Sequence, residues 1–588
     1  MDRNTIIAIV LSVIVITVGM TINMVFFPPA DYTSTTNQET VQTIDDAAVQ
    51  SSVMPSALSQ AQNSDSFAVE TDAFIMTFEP EGASVSSIKL KNHLESATGE
   101  PVELIVKDSS DRNAFLLYTD ESLSSPLTDV YEYSIDDTSD TVTTVSFQQD
   151  YELNGSQFRI TKRFALPKTE EYLFRVNVEL TSLDGSPVPL DHYTLGYDPQ
   201  IGPYFEELSN NYGEYRRAFY KEYDDNDRRN VSSFTDGEAV VEDAIGWAAV
   251  AGKYFAVIGV PQQNVPYTTV YHQNTADSLI SQTNSFYFTR SGISGQSVSD
   301  VYSYYTGPKL SSSLSIYDVE GDNTFGFTGL QLDEVLDSSS WLGWLQTILK
   351  WVLNFFYRLI PNYGVAIILL TILVKLIIQP ISKKGMDSTA KMSALGPKVK
   401  ELQEKYADDP TALNAAMAKL YKEEGISPMG SCLPMLIQFP IFIALYGLLS
   451  THYELRGAMF IPGWIPDLSV PDNVATLPFS IPFLGNGIHL LPIIYTASMI
   501  FSMKITQTTN TQSAQQSMMK FMTYGMPIIF FFILYNAPSG LLLYWTVMNF
   551  ISILQQVYVN KKKTHKYAEE IQAREEAKIN KYKPRKRK

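Results

Sequence analysis

Tyr363-Gly-Val-Ala-Ile-Ile-Leu-Leu-Thr-Ile-Leu-Val-Lys-Leu-Ile-Ile-Gln-Pro-Ile381 decides how the rest of the chain is read. These roughly 19 residues, mostly apolar, are long enough at about 1.5 Å per residue to cross a hydrocarbon layer. Within the run, Thr371, Lys375 and Gln379 recur every fourth residue, so on a helix they stack on one face. A lysine at mid-depth costs at least about 2.5 kcal/mol, so Lys375 is expected to face water, a partner or a substrate instead of lipid. Snorkelling of the amine to the nearer interface is the competing explanation. Thr371 carries the stripe deeper, where snorkelling explains nothing.

Five further runs read as spans: Ile6 to Phe27, Ser431 to Leu449, Leu490 to Met503, Phe521 to Tyr535 and Leu541 to Val559. Six spans put both termini on one side. The basic tail 561–588, with Lys383, Lys384 and Lys391, makes that side cytoplasmic. Residues 1–29 are expected to stay as a membrane anchor, because Pro28-Pro29 follows the apolar run in place of a small-residue cleavage site. Trp341 to Leu359 reads differently. Gln346, Lys350, Asn354 and Arg358 form a polar stripe and Trp341, Trp344 and Trp351 occupy the remainder, so 341–360 is expected to lie in the interface as an amphipathic helix. Pro361 ends it, and 361–560 forms the membrane core. Inside that core, 384–424 is expected to be a cytoplasmic two-helix hairpin. Leu395, Val399, Leu402 and Tyr406 give one apolar seam and Leu413, Met417 and Leu420 the other, and Asp409-Pro410 opens the second helix.

The charge of −19 over 588 residues is unevenly spread. Residues 31–340 hold roughly thirty more acidic than basic side chains, and the tail has an excess of roughly eight positive charges. Residues 30–65, rich in Ser, Thr, Gln, Asn and Asp, read as a flexible linker. From 66 to 325 the pattern changes to period two, as in Phe74, Met76 and Phe78 or Phe174, Val176, Val178 and Leu180. Asn154-Gly155 between two such runs is a hairpin turn signal. An antiparallel β-sandwich on the outer side of the membrane follows. Cys432 is the only cysteine and the six histidines are scattered, so no metal and no cofactor are expected.

The last span carries its own polar face, Trp545, Asn549, Ser552 and Gln556, and the third adds Gln438. No Asp or Glu lies in any of the six runs. Lys375 therefore lacks an intramembrane counter-ion, and a proton relay of carboxylates is not expected. What remains is a wet, positively charged cavity that attracts acidic or polar segments.

Val374-Lys-Leu-Ile-Ile-Gln-Pro380, Met417-Ala-Lys-Leu-Tyr-Lys422, Gly430-Ser-Cys-Leu-Pro434, Gln438-Phe-Pro-Ile-Phe442 and Pro538-Ser-Gly-Leu-Leu-Leu-Tyr544 together resemble the YidC family of bacterial membrane protein insertases over nearly the whole chain. The resemblance implies a multi-spanning α-helical protein with a five-helix insertase core, an anchor helix and a large periplasmic antiparallel β-supersandwich. It also implies a groove open to cytoplasm and lipid but closed to the periplasm, with a positive residue in the second span. That residue is usually arginine; here it is Lys375, which keeps the charge and lacks the planar fork for bidentate carboxylate binding. Thr371 matches a polar position beside the charge, and Tyr544 and Trp545 match an aromatic pair lining the substrate path. Implied partners are nascent membrane proteins, the Sec translocon, membrane lipids, and ribosomes or targeting factors that meet the hairpin and basic tail. A solute channel or transporter is the first rival, but no inverted repeat of broken helices appears. A sugar-active enzyme in the β domain is the second, but no paired acids stand out.

Overall fold

The computed structural model describes residues 54–573, apart from short stretches of which 204–215, 275–282, 426–432 and 507–520 are the longest. The N-terminal anchor, most of the linker, Trp341 and most of the basic tail lie outside the described residues.

Two antiparallel sheets, of ten and nine strands, face each other in the acidic part of the chain. Each strand buries alternate side chains, which is why the period of two was readable: Phe74, Met76 and Phe78 are wholly buried, while Ile75, Thr77 and Glu79 between them are half-buried. The strands Val142–Leu153 and Ser156–Pro167 pair in register around Asn154-Gly155, whose φ values of 55° and 81° are the ones a tight hairpin turn requires. The core between the sheets is aromatic. Phe115 lies edge-on to Phe164, Phe174, Tyr197 and Tyr304 at 4.7–6.0 Å.

One cation sits inside this core. Lys162 is wholly buried, and its Nζ donates to the carbonyls of Gly82, Ala83 and Phe115 at 3.0, 2.9 and 2.6 Å. All three residues have positive φ, so the lysine ties the turn at Gly82-Ala83 to the strand position Phe115, where the backbone is in a left-handed conformation.

After Leu342 the chain is mainly helical, with a two-stranded hairpin of Ala475–Ile481 and Gly485–Ile488. Helix α1 (Gly343–Leu359) buries Leu349 and Leu353 and leaves Trp344, Ile348, Trp351, Phe355 and Leu359 exposed. Of its polar stripe Gln346, Lys350 and Asn354 are half-buried and Arg358 is exposed, and Lys350 lies 3.9 Å from Glu454. Helix α2 (Tyr363–Ala394) runs past the expected end at Ile381, straight through Pro380. The proline removes a single ladder bond, to a carbonyl in an exposed turn, so the helix survives it. The two helices of the expected hairpin are therefore α3 (Gly396–Lys405) and α4 (Pro410–Glu423), with Asp409 capping Thr411 and Ala412 and with Leu395, Val399, Met417 and Leu420 in the seam. Among the described residues four more α-helices follow: α5 (Leu433–Thr451), α6 (Leu490–Thr506), α7 (Met526–Leu534) and α8 (Ser539–Val559). Among the described residues two segments are long and apolar enough to cross a membrane, Tyr363–Pro380 and Ser539–Lys562; Gln438–Leu449, Leu490–Ile505 and Thr523–Leu534 are shorter apolar helices.

The β domain meets the bundle at the segment after α5. Tyr453 Oη lies 2.8 Å from Nδ1 of His93, and Nε2 of the same ring lies 3.0 Å from Tyr172 Oη. Burial, helped by the nearby Arg456, pushes the His93 imidazole down from 6.5 to about 4. The neutral ring has one donor and one acceptor for its two tyrosine partners.

Two outcomes are expected. Lys162→Met leaves three buried carbonyls without a donor and destabilises the β domain by about 3 kcal/mol in denaturant unfolding. Because the folded pKa of His93 lies below its unfolded value, the unfolded chain gains the proton first as pH falls. The His93 contribution is thus intact above pH 6.5 and is lost progressively towards pH 4, and thermal unfolding across that window is flattened in His93→Gln.

Candidate functional site: a lone cation between two parallel helices

Helices α2 and α8 start side by side. A Cβ on Gly540, in the first turn of α8, would lie 3.4 Å from Cδ1 of Ile367 in the second turn of α2. Both run away from the β domain. From that shared level Lys375 is eight residues along α2 and Ser552 twelve residues along α8. At about 1.5 Å per residue the lysine reaches roughly 6 Å beyond its own level towards the tail end of the bundle. There its Nζ donates to Ser552 Oγ at 2.7 Å, and the Ser552 hydroxyl donates in turn to the Met548 carbonyl at 2.8 Å. The hydroxyl is thus an acceptor for the ammonium and a donor to its own helix. Lys375 is 6 % exposed, and no carboxylate pairs with it among the described residues.

The other sequence-predicted positions distribute around this contact. Thr371 is wholly buried and donates to the Ile367 carbonyl at 2.6 Å, so its hydroxyl is satisfied within α2. Gln379 is exposed, one turn beyond Lys375. Gln438 is half-buried in α5. The polar face of α8 splits between neighbours: Ser552 faces α2, whereas Asn549 donates to Ser498 Oγ of α6 at 2.7 Å. Gln556 bonds Asn560 at 2.7 Å, within the same helical end. Trp545 stacks on Phe442 of α5 with ring centres 4.8 Å apart and planes 5° from parallel, and Tyr495 of α6 lies 6.0 Å from it. Tyr544 is wholly buried.

Sequence reading missed Ser498 and Phe442, which complete the walls, and also Thr496 and Thr546. Tyr544 Oη, Trp545 Nε1, Thr546 Oγ1 and Thr496 Oγ1 are buried and find no hydrogen-bond partner among the described residues. A buried polar atom left unpaired costs about 1–3 kcal/mol, so four of them on α6 and α8 are groups that water or a polar segment would satisfy. The missed threonines gave no signal because a threonine in an apolar helix normally bonds its own backbone.

Residues 66–352 match the family described as YidC periplasmic domain, and residues 355–566 match 60Kd inner membrane protein. The membrane protein insertase YidC of Treponema denticola is 37% identical over 95% of this chain and 99% of its own length. That of Treponema pallidum is 30% identical over 96% of this chain and 100% of its own length. A solved structure titled as an active YidC insertase with its first transmembrane domain resolved covers 85% of this chain and 93% of its own, at 17% identity and a TM-score of 0.35. The chain belongs to the YidC family of membrane protein insertases.

Proposed function

We propose that this protein inserts nascent proteins into the inner membrane by drawing their polar or acidic tails into a hydrated groove between α2, α5, α6 and α8, with Lys375 as the attracting charge. The observation that carries the reading is the partnership of Lys375: a buried amine held by one neutral hydroxyl, with no carboxylate beside it among the described residues. A structural ion pair would have a carboxylate in that place, and a buried charge without one is retained at a cost. A passing carboxylate or polar segment gives back that cost, and the adjacent apolar segment then leaves along the exposed flanks of the bundle into lipid.

In this reading the chain crosses the membrane six times, with the unpaired runs Ile6–Phe27, α5, α6 and the 521–535 segment joining the two longer spans. Both termini are cytoplasmic, the β domain is periplasmic, and α1 lies in the outer interface with Trp344 and Trp351 towards lipid. The hairpin of α3 and α4 and the basic tail receive ribosomes, targeting factors or nascent chains, and the groove works alone or beside the Sec translocon. Insertion needs no covalent step, so no catalytic residue is assigned.

Replacing Lys375 by Glu is expected to slow insertion of an acid-tailed client at least about fivefold in a depletion strain, while Lys375→Arg stays near wild type, since even hydrated charges a few ångströms apart attract by roughly 1 kcal/mol. A client with an uncharged tail responds less. Equal insertion of both clients by Lys375→Glu defeats the electrostatic step. Tyr544→Phe deletes a hydroxyl that has no protein partner among the described residues, so unfolding stability stays within about 0.5 kcal/mol of wild type while insertion falls. Unchanged insertion by that variant places the hydroxyl outside the client path.

A further inference from the structure

The groove has an outer end, and the segment from His452 to His489 covers it. Leu455, Ile465 and Leu468 are wholly buried in the same apolar cluster as Ile367, Leu370, Leu541 and Leu542. Helix α8 has no side-chain cap at its start, so its first donors depend on this segment. The carbonyl of Leu468 accepts from Gly540 N at 2.9 Å, that of Val470 from Ser539 N at 2.8 Å, and that of Asp467 from Ser539 Oγ at 2.9 Å. Helix α6 is treated the same way. Asp472 is wholly buried, and its carboxylate accepts from Leu490 N, Leu491 N and Trp464 Nε1 at 2.8–2.9 Å. One segment therefore terminates both helices whose polar faces line the groove.

The β domain grips that segment from the opposite side. Lys253 reaches the carbonyl of Ser469 at 3.5 Å, between the two carbonyls that hold α8. Arg456 donates to the Leu94 carbonyl at 2.9 Å and lies 5.3 Å from the centre of the Phe255 ring. Tyr453 meets His93, Tyr254 and Phe255 edge-on at 5.3–6.0 Å, in addition to its hydrogen bond with His93. A hydrated path through a membrane must be closed at one end whenever no client occupies it. Here the closing segment is clamped between the bundle it seals and a folded domain that has no other contact with the groove among the described residues.

We propose that the β domain is a latch for this outer cap, with His93, Tyr453 and Lys253 as positioning residues that set how rarely the groove opens to the outer side. The proposal rests on the groove being the hydrated insertion path. It gives the domain a role in keeping the membrane tight that is separable from insertion itself.

The test uses the full-length protein in vesicles of phosphatidylethanolamine and phosphatidylglycerol that enclose a small self-quenching dye. Tyr453→Phe is expected to raise dye release about fivefold, the change in a two-state population when one hydrogen bond is lost, and His93→Ala at least as much. Asp472→Asn weakens the cap directly and releases dye at least as fast as either. Insertion of an acid-tailed client into the same vesicles stays within about twofold of wild type for Tyr453→Phe and His93→Ala, because neither residue touches the Lys375 contact. Wild-type release from His93→Ala with a protease-resistant β domain overturns the latch. If that variant loses protease resistance, Tyr453→Phe decides alone, and wild-type release from it overturns the latch equally. Failure of the wild-type protein to insert the client strikes the proposed function, whereas the latch is judged by dye release.

Discussion

The proposed function depends on a single hydrogen bond from the Lys375 amine to the Ser552 hydroxyl. Lys375 has been taken out of water without being given a counter-ion, and Ser552 offers one lone pair where a carboxylate would offer a full charge. That arrangement is poor as a structural tie and well suited to a site whose anionic partner comes and goes. The parallel start of α2 and α8 makes it possible, since it places a long flexible side chain on one helix beside a small polar one on the other, about two to three turns in from their shared end.

The same two helices fix what happens at the opposite end. Because α8 begins without a side-chain cap, its terminal donors are satisfied by the carbonyls of Asp467, Leu468 and Val470, and the sealing segment is thereby tied to the groove it closes. The β domain, built around its aromatic core and the buried Lys162, contacts that segment through His93, Leu94 and Lys253. Charge at one end and closure at the other thus meet on α8, which shares the charged contact with α2 and the capping segment with α6. The large domain contributes to the second and has no contact with the first among the described residues.

Much of this was legible in the sequence where the physics is local. Alternation at Phe74, Met76 and Phe78 gave strands because a sheet buries every second side chain, and Asn154-Gly155 gave a hairpin because both residues tolerate positive φ. Asp409-Pro410 gave a helix start for equally local reasons. The spacing of Thr371 and Lys375 placed both on one buried face, but exposure of Gln379 shows that helical spacing does not report depth. The polar face at 545, 549, 552 and 556 read as one surface; in the fold it is shared between α2 and α6, since a helix with two neighbours divides its circumference. The outer cap was not legible at all. Its defining contact joins residues 360 positions apart, His93 and Tyr453, and neither carries a sequence pattern that names the other.

The central claim is that a client's polar tail enters the space around Lys375. The most direct measurement is photocrosslinking from a light-activated residue placed at position 375, with a ribosome-bound client stalled so that its acidic tail has just met the membrane. The account predicts adducts between position 375 and the client tail that disappear once insertion is complete, together with adducts from position 544 to the same client. Adducts to lipid alone, at every length of the stalled chain, would contradict it.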